Sequence, residues 1–491
     1  MYTLHPLHTE VVANIKSRDE IMSFFFLMCT LLALHSWFTK RNIWGLTLAV
    51  IAYFLAFMSK EGVITFLAIF PIMGWYFTSS KTKDIAIASV LLIIPAIAYL
   101  AIRSSVLSTF GTDASTAIID NFLSAAPDKA SYYATAIYLL GKYLWLLFLP
   151  VTLICDYSFN QIPIVGFNNL GTIASLIIYS GLGITSIWFI KRRSPIIFGL
   201  ILFLSSISIY SNIVIPIGSS FAERFMFIPS LGFCIAIVFL LFKIFKVSDE
   251  DGSIQHFYKK SPILVMALVL IISLFTVRTV TRANEWKDQY TLFGKDIKRA
   301  PNSAHLRYYW GLAIRDKALE ETDVNSQKSM MISAISQFEK STEIYPSYAE
   351  SYEQLGLAWY RVKNLEKSLE NYNKALALNN TKAVTYSNIG IIYFEQGNYP
   401  KALELYTKSL SLDPNYADAY FNMGSTLGML GRYEEAITNF EKCIQFDPEN
   451  ATAHQFIGVT YQNMKRDAEA QPWLEKAAIL NQKKAQEKSV K

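Results

Sequence analysis

Three short clusters set ionisable side chains against long apolar runs. His5-Pro6-Leu7-His8-Thr9-Glu10 is followed closely by Lys16, Arg18, Asp19 and Glu20. Ser59-Lys60-Glu61-Gly62 separates two apolar stretches, and Ala222-Glu223-Arg224-Phe225 directly precedes a third. Charge at the edge of an apolar run is costly, so such residues are paired or functional. Lys60 and Arg224, with Arg18, suit a phosphate or pyrophosphate, because a lasting cation matches that anion. Asp19, Glu20 or Glu10 could act as general base or orient an acceptor hydroxyl. His5, His8, Glu61 and Glu223 are expected to support these groups. Together the residues would fit glycosyl transfer from a polyprenyl-phosphate sugar. The blander reading pairs Glu61 with Lys60 or Arg224 and makes the charges packing devices. Two histidines lying close together, His5 and His8, are too few for a zinc site, and none of the four cysteines forms a CxxC pair.

The elements that must position these groups are membrane spans. Of the 491 residues 52% are hydrophobic and only 17% charged, with a mean hydropathy of +0.26. That average hides two unlike parts, an apolar one over residues 20–280 and a polar, regularly patterned one over 285–491. A span needs about 20 apolar residues. Eight stretches qualify or nearly qualify, at 21–39, 43–58, 63–78, 85–102, 170–190, 196–213, 228–245 and 262–280. The net charge of +6 is spread through the short connections between them, which argues for membrane orientation and against nucleic acid. Lys40-Arg41, Lys81/Lys83, Lys191-Arg192-Arg193 and Lys243/Lys246/Lys259/Lys260 make one basic set of eleven. The opposite set, Lys16, Arg18, Lys60, Arg103, Lys129, Lys142 and Arg224, holds seven in longer stretches. The first set is therefore expected in the cytoplasm and the second outside. The parity requires that the apolar stretch Tyr138 to Cys155 not cross. A helix that dips in, breaks at Pro150 and returns would satisfy it.

The polar half repeats itself every 34 residues. Tyr352, Leu355, Gly356, Trp359, Ser368, Tyr372 and Ala375 recur as Tyr386, Ile389, Gly390, Tyr393, Ala402, Tyr406 and Ser409. The next copy is Tyr420, Met423, Gly424, Leu427, Ala436, Phe440 and Cys443, and the last is His454, Ile457, Gly458, Tyr461, Ala470, Leu474 and Ala477. This is the tetratricopeptide (TPR) pattern, a stack of helix pairs. Gly356, Gly390, Gly424 and Gly458 let paired helices approach, and Tyr352, Tyr386 and Tyr420 are expected in the grooves between repeats. A degenerate copy at Trp310-Gly311, Ala334 and Phe338 precedes them, with about 11 extra residues expected to loop out around Glu320–Ser329. Such an array offers a concave surface for an acceptor protein or peptide.

The clusters also carry a family resemblance. HPLHTEVVA at 5–13 with Arg18-Asp19, Met58-Ser59-Lys60-Glu61, Leu149-Pro150 with Asp156-Tyr157-Ser158-Phe159, AERFMFIPSLGF at 222–233, and Arg278-Thr279 with Trp286-Lys287-Asp288 occur in that order. They resemble segments of the transmembrane-and-TPR-containing O-mannosyltransferases, which are similar to the GT-C glycosyltransferases. The resemblance implies a polyprenyl-phosphate-linked sugar as donor and an acceptor protein as partner, with transfer away from the cytosol. It implies Lys60 and Arg224 at the lipid phosphate and Asp19 at a second acidic position. The family also carries a first span and an acidic loop before the histidine motif. This chain begins four residues before that motif, so an N-terminally truncated form is expected.

The fold expected is all-α: a polytopic GT-C-like membrane domain over 1–285, a linker over 286–303, a TPR α-solenoid over 304–484 and a polar tail over 485–491. The function expected is a membrane glycosyltransferase in contact with membrane lipids, with outward-facing TPRs. A non-catalytic membrane-anchored TPR scaffold is the alternative. A bacterial inner membrane is favoured, or the endoplasmic reticulum in a eukaryote. A divalent metal is left open.

Overall fold

A computed structural model describes residues 1–110, 118–245 and 261–489, with side chains placed except at 109–110 and 488–489. Lys246, Lys259 and Lys260, assigned above to the basic set, lie outside the described residues. Among those described the ordered elements are helices, and they divide into two compact units, Met1–Trp310 and Gly311–Lys491.

In the first unit each of the eight apolar stretches forms a helix. These are α1 (Arg18–Lys40), α2 (Ile43–Ser59), α3 (Phe66–Phe77) and α4 (Thr82–Phe110), then, after α5 (Lys129–Phe148), α6 (Leu170–Trp188), α7 (Pro195–Ser208), α8 (Pro229–Ile244) and α9 (Pro262–Glu285). Asn42, Asn169 and Ser194 cap α2, α6 and α7 through their side chains. Among the described residues four helices are long and apolar enough to cross a membrane, starting at Ile15, Thr82, Leu170 and Pro262, and four more apolar helices are shorter. They pack through aromatic and aliphatic residues such as Tyr53, Phe57, Phe66 and Phe70, while Leu48, Ile51, Ile177 and Leu270 face outward. An apolar outside around an apolar core is what lipid demands. The protein is a membrane protein.

Contacts between distant segments sort the helix ends into two layers. In one, Arg41 at the end of α1 pairs with Asp84 at the start of α4, and Ser80 bonds the Phe38 carbonyl at 2.6 Å. Tyr76, at the end of α3, bonds the Ile190 carbonyl just beyond α6, and Arg193 lies over Trp75. In the other, Lys60 after α2 meets Asp19 at the start of α1, Ser205 in α7 bonds the Thr65 carbonyl before α3, and Thr279 in α9 bonds the Leu4 carbonyl. The basic connections Lys40-Arg41, Lys81/Lys83 and Lys191-Arg192-Arg193 thus share one layer, and the three chemically suggestive clusters share the other.

Helix α5 covers the stretch expected to break at Pro150, and it does stop there. It is a 20-residue helix that ends at Phe148, ahead of Pro150, and the chain returns through 149–169 without an α-helix. Tyr132 near its start bonds the Asn212 carbonyl, the Tyr143 hydroxyl accepts from Ala222 N, and the Leu147 carbonyl meets His5 Nε2. All three partners belong to the layer of the clusters. The start, the middle and the end of the helix thus each contact that layer.

The segment 286–303 is not a linker. It carries α10 (Gln289–Arg299), capped by Asp288, and is folded into the first unit. Its Asp296 is fully buried and holds the equally buried Arg282 of α9 through two hydrogen bonds, at 2.7 and 2.8 Å. Arg299 and Glu285 extend the network. A charge withdrawn from water this completely persists because carboxylates meet both terminal nitrogens of Arg282, although its buried Nε has no hydrogen-bond partner.

Helix α11 (Ala304–Glu320) contains the division between the units. The second unit continues as α12 (Val324–Ile344), α13 (Ala349–Arg361), α14 (Leu365–Leu378), α15 (Ala383–Glu395), α16 (Tyr399–Leu412), α17 (Ala417–Met429), α18 (Tyr433–Phe446), α19 (Ala451–Asn463) and α20 (Asp467–Ser489). Regular pairs have 13 and 14 residues, as in α13 and α14. The extra residues of the degenerate copy do not loop out. They lengthen its two helices to 17 and 21 residues around a short connection. Gly356, Gly390, Gly424 and Gly458 sit against Tyr372, Tyr406, Phe440 and Leu474, as the register requires. Tyr352, Tyr386 and Tyr420 are only half-buried, and Lys374, Lys408 and Lys442 lie over their rings.

Candidate functional site

The layer that gathers the three clusters also contains a cavity of about 960 Å³. Asp19, Lys60 and Arg224 line it together, with Lys16, Asp156, Tyr157, Ser158, Asp288, His305 and Tyr309. Residues far apart in sequence converge because α1 begins where α2 ends, and the turn Glu223–Met226 closes over both.

The Lys60 ammonium lies 2.5 Å from Asp19 and 3.3 Å from Glu20. Burial works against its charge, but Glu20 and Asp19 outweigh that and raise its pKa, so it stays a cation. An ammonium has three donors; Asp19 accepts from one, and Glu20 is held as an ion pair without a hydrogen bond. The Arg224 guanidinium donates to Glu10 Oε1 at 2.7 Å, while Arg224 N donates to Oε2 of the same carboxylate at 3.0 Å. Glu10 is thereby spent on orienting Arg224. It is buried, as is Glu20 beneath Lys60, and neither lines the cavity. Of the three candidate acids only Asp19 reaches the open space.

Other expected site residues fall elsewhere. Arg18 is exposed and does not line the cavity, because successive residues of a helix point about 100° apart. Glu61 is exposed and, among the described residues, forms no ion pair with Lys60 or Arg224. Glu223 turns into the protein, where its Oε1 accepts from Ile154 N at 2.6 Å and the Tyr157 hydroxyl at 2.7 Å. His5 accepts from Leu7 N through Nδ1 and so donates from Nε2 to the Leu147 carbonyl. His8 bonds the Ser230 hydroxyl at 2.8 Å. Burial lowers the His5 pKa to about 4 and the His8 pKa to about 3, which makes both neutral packing groups. Together these two histidines knit the N-terminal segment to α5 and α8.

Two cavity residues were not singled out as site residues in the sequence. Asp156 Oδ1 lies 3.1 Å from His305 Nδ1, and its Oδ2 accepts from the hydroxyls of Ser158 and Ser303, each at 2.7 Å. Burial would raise the Asp156 pKa, but His305 and the two hydroxyls more than offset this and lower it, so it is ionised. Asp156 stood in the segment 156–159 that carried part of the resemblance. His305 had no signal of its own: it lies in the first turn of α11, inside what read as the degenerate repeat.

Comparison with known proteins adds two findings. Family models described as tetratricopeptide repeat match residues 347–415, 381–449 and 427–488. The chain is 25% identical over 411 residues to mouse protein O-mannosyl-transferase TMTC3, a match covering 75% of this chain and 40% of the relative. In sequence the chain is therefore similar to the protein O-mannosyl-transferases, and it carries TPRs. It is also 26% identical to the Caenorhabditis elegans protein O-mannosyl-transferase F38B6.6, over 65% of this chain and 43% of the relative. The chain thus spans less than half the length of the curated relatives it matches. Among solved structures, a crystal structure of MamA is 26% identical and covers 34% of this chain and 99% of its own, with a TM-score of 0.30. YrrB, described as a TPR protein with an unusual peptide-binding site, is 21% identical over 38% of this chain and 91% of its own, also with a TM-score of 0.30.

Proposed function

We propose that this protein is a membrane glycosyltransferase, transferring a sugar, mannose by analogy with its relatives, from a polyprenyl phosphate to a hydroxyl of an acceptor protein. The observation that carries the reading is the convergence of Lys60 and Arg224, with Asp19, on one cavity at the end of an apolar helix bundle. A polyprenyl-phosphate sugar has an apolar tail and an anionic phosphate, and it must meet both environments at one place. Lys60 and Arg224 would hold the phosphate, and their carboxylate partners Asp19, Glu20 and Glu10 keep them charged and oriented before donor arrives. As the bond from sugar to phosphate breaks, charge grows on the phosphate oxygens, so the same cations also stabilise the leaving group. The TPR unit would recruit the acceptor protein. The cavity layer would face away from the cytosol, since the denser basic connections lie in the other layer.

The test is donor binding by the full chain in detergent, measured with a polyprenyl-phosphate mannose. A hydrogen bond to a charged group contributes about 1.5–3 kcal/mol. Lys60→Ala and Arg224→Ala are each expected to weaken binding about tenfold or more while melting stays cooperative. Unchanged binding in both variants would overturn the reading and leave the anchored TPR scaffold.

A further inference from the structure

We propose that Arg278 of α9, Lys142 of α5 and Arg299 of α10 form a second anion site around the turn at 149–153. It takes the headgroup phosphate of an anionic bilayer phospholipid, whose acyl chains lie against Trp145, Leu149 and Val151. The site is separate from the one proposed for the sugar donor and does not depend on it.

Arg278 lies in α9, where Leu274, Val277 and Val280 are exposed as lipid-facing residues are. A guanidinium in such a place is costly unless an anion meets it. Its Nε donates only a long bond, 3.4 Å, to the Pro150 carbonyl, and its buried Nη2 has no hydrogen-bond partner. The acids near it are already engaged. Glu285 and Asp296 each bond both Arg282 and Arg299. Glu223 accepts from Ile154 N and the Tyr157 hydroxyl. Three guanidiniums thus share two ion-paired carboxylates, which leaves one positive charge in excess, and among the described residues no carboxylate pairs with Arg278.

The excess charge stands beside a groove. Leu149 and Val151, on either side of Pro150, line a cavity of about 430 Å³ together with Lys142, Trp145 and Arg299. Its lining includes two cations and no Asp or Glu. Arg299 donates from Nη1 to the Leu153 carbonyl at 3.4 Å, so guanidiniums hold the turn at both ends. Lys142 rests over the Tyr138 ring and, among the described residues, forms no ion pair. A phosphate oxygen accepts from several such donors at once. Trp145, Leu149 and Val151 are exposed, as a surface for acyl chains must be. A basic pocket flanked by apolar side chains at the end of a helix bundle suits an anionic lipid, whereas a free phosphate would leave the apolar flank unused.

The groove adjoins the larger cavity, and Tyr157 and Phe221 line both. Ile154 and Tyr157 hold Glu223, the neighbour of Arg224 in sequence. A lipid seated at the turn would therefore brace the wall behind Arg224 without entering the space that Lys60 and Asp19 share.

The experiment uses the full chain in detergent and native mass spectrometry. The probes are dioleoyl phosphatidylglycerol and dioleoyl phosphatidylcholine, which have equal tails and unequal charge. The original chain is expected to hold phosphatidylglycerol about tenfold more tightly than phosphatidylcholine, and Arg278→Gln and Lys142→Gln each to weaken that binding about tenfold. Lys142 is half-buried and lies outside the arginine network, so its variant carries the test where Arg278→Gln no longer melts cooperatively. Lys191→Gln removes an exposed cation from the other layer and should change nothing. An equal loss there would make the binding a matter of net charge and overturn the site. Equal binding of the two lipids, or unchanged phosphatidylglycerol binding in both variants, would overturn it too. Glycerol phosphate in excess should not displace the lipid; displacement would make the ligand a free phosphate. Polyprenyl-phosphate mannose should bind alongside phosphatidylglycerol, and mutual displacement would give the groove to the donor and remove the second site. A chain that keeps the lipid preference but binds no donor would instead sink the glycosyltransferase reading and leave this site standing.

Discussion

Glu223 is a carboxylate with nowhere to ionise. It is 1% exposed, and burial pushes its pKa up to about 8 from an ordinary 4.5, although Arg282 pulls the other way. A raised pKa means that the folded protein prefers the protonated acid. That stabilisation is complete below about pH 4.5 and is lost as pH rises through about 8. The thermal midpoint in detergent is therefore expected to fall as pH rises from about 4.5 to about 8. Glu223→Gln keeps an acceptor oxygen for Ile154 N and the Tyr157 hydroxyl, and should flatten that fall. Parallel curves for the two proteins would mean that Glu223 is already ionised when folded. Glu223→Ala strands both buried donors and should cost about 1–3 kcal/mol at any pH. At this scale the sequence was legible where a residue sat at the end of an apolar run. Lys60 and Arg224 had to emerge in the same layer, and they did. Arg18 and Asp19 are neighbours on one helix, and nothing in their identities said which would face the cavity. The pairing of Asp156 with His305 joins residues 149 positions apart, and no local pattern announces it.

At the scale of elements, α7 and α8 meet through glycines. A methyl group on Gly232 would lie 2.5 Å from Phe203 N and 2.6 Å from the Gly199 carbonyl, both backbone atoms that no rotamer change can move. Small residues let membrane helices approach this closely. Gly232→Ala should destabilise the bundle by about 1–3 kcal/mol in a detergent unfolding assay. Gly183→Ala, with nothing within 4 Å, should not. Equal midpoints would place the α7–α8 contact elsewhere. The repeats allow the same comparison: at Gly424 a new side chain meets the Phe440 ring, whereas at Gly428 the nearest neighbour is 4.0 Å away. Gly424→Leu should lower the melting temperature of fragment 311–491 more than Gly428→Ala does. The repeat was legible because its packing residues recur every 34 positions. A backbone signal recurs with them. The helix-to-helix turns place Lys363, Gly397, Gly431 and Lys465 at positive φ, and two lysines among them hide the pattern from composition. What the period could not show was how the first copy absorbs its insertion, since lengthening a helix pair and looping out between them add the same residues. Nor could it show α10, whose sequence is polar enough to read as a connection and whose buried Asp296 has meaning only opposite Arg282.

For the whole molecule the open question is sidedness, and α5 decides the parity. It has 20 residues, enough by length to span, since that many rise about 30 Å. If it crossed, every connection after it would change sides, and Lys191-Arg192-Arg193 would part company with Lys40-Arg41. The contacts of Tyr132, Tyr143 and Leu147 with one layer argue that it does not cross. Single cysteines can test this in a chain whose four native cysteines have been replaced. Ser79, Lys129 and Thr152 are all exposed. Ser79→Cys lies in the layer of dense basic connections and should react with a membrane-impermeant thiol reagent only after the cells are opened. Lys129→Cys and Thr152→Cys flank α5 and should both react in intact cells, or in spheroplasts where an outer membrane stands in the way. Opposite labelling of the last two would show α5 crossing and would break the shared layer on which the site depends. Joint labelling of those two with the reverse sidedness would keep the site intact but turn it, and the TPR unit with it, toward the cytosol. A sugar donor presented on the outer leaflet could not reach the cavity in that arrangement, so the same three labels bear on the proposed chemistry as directly as on the fold.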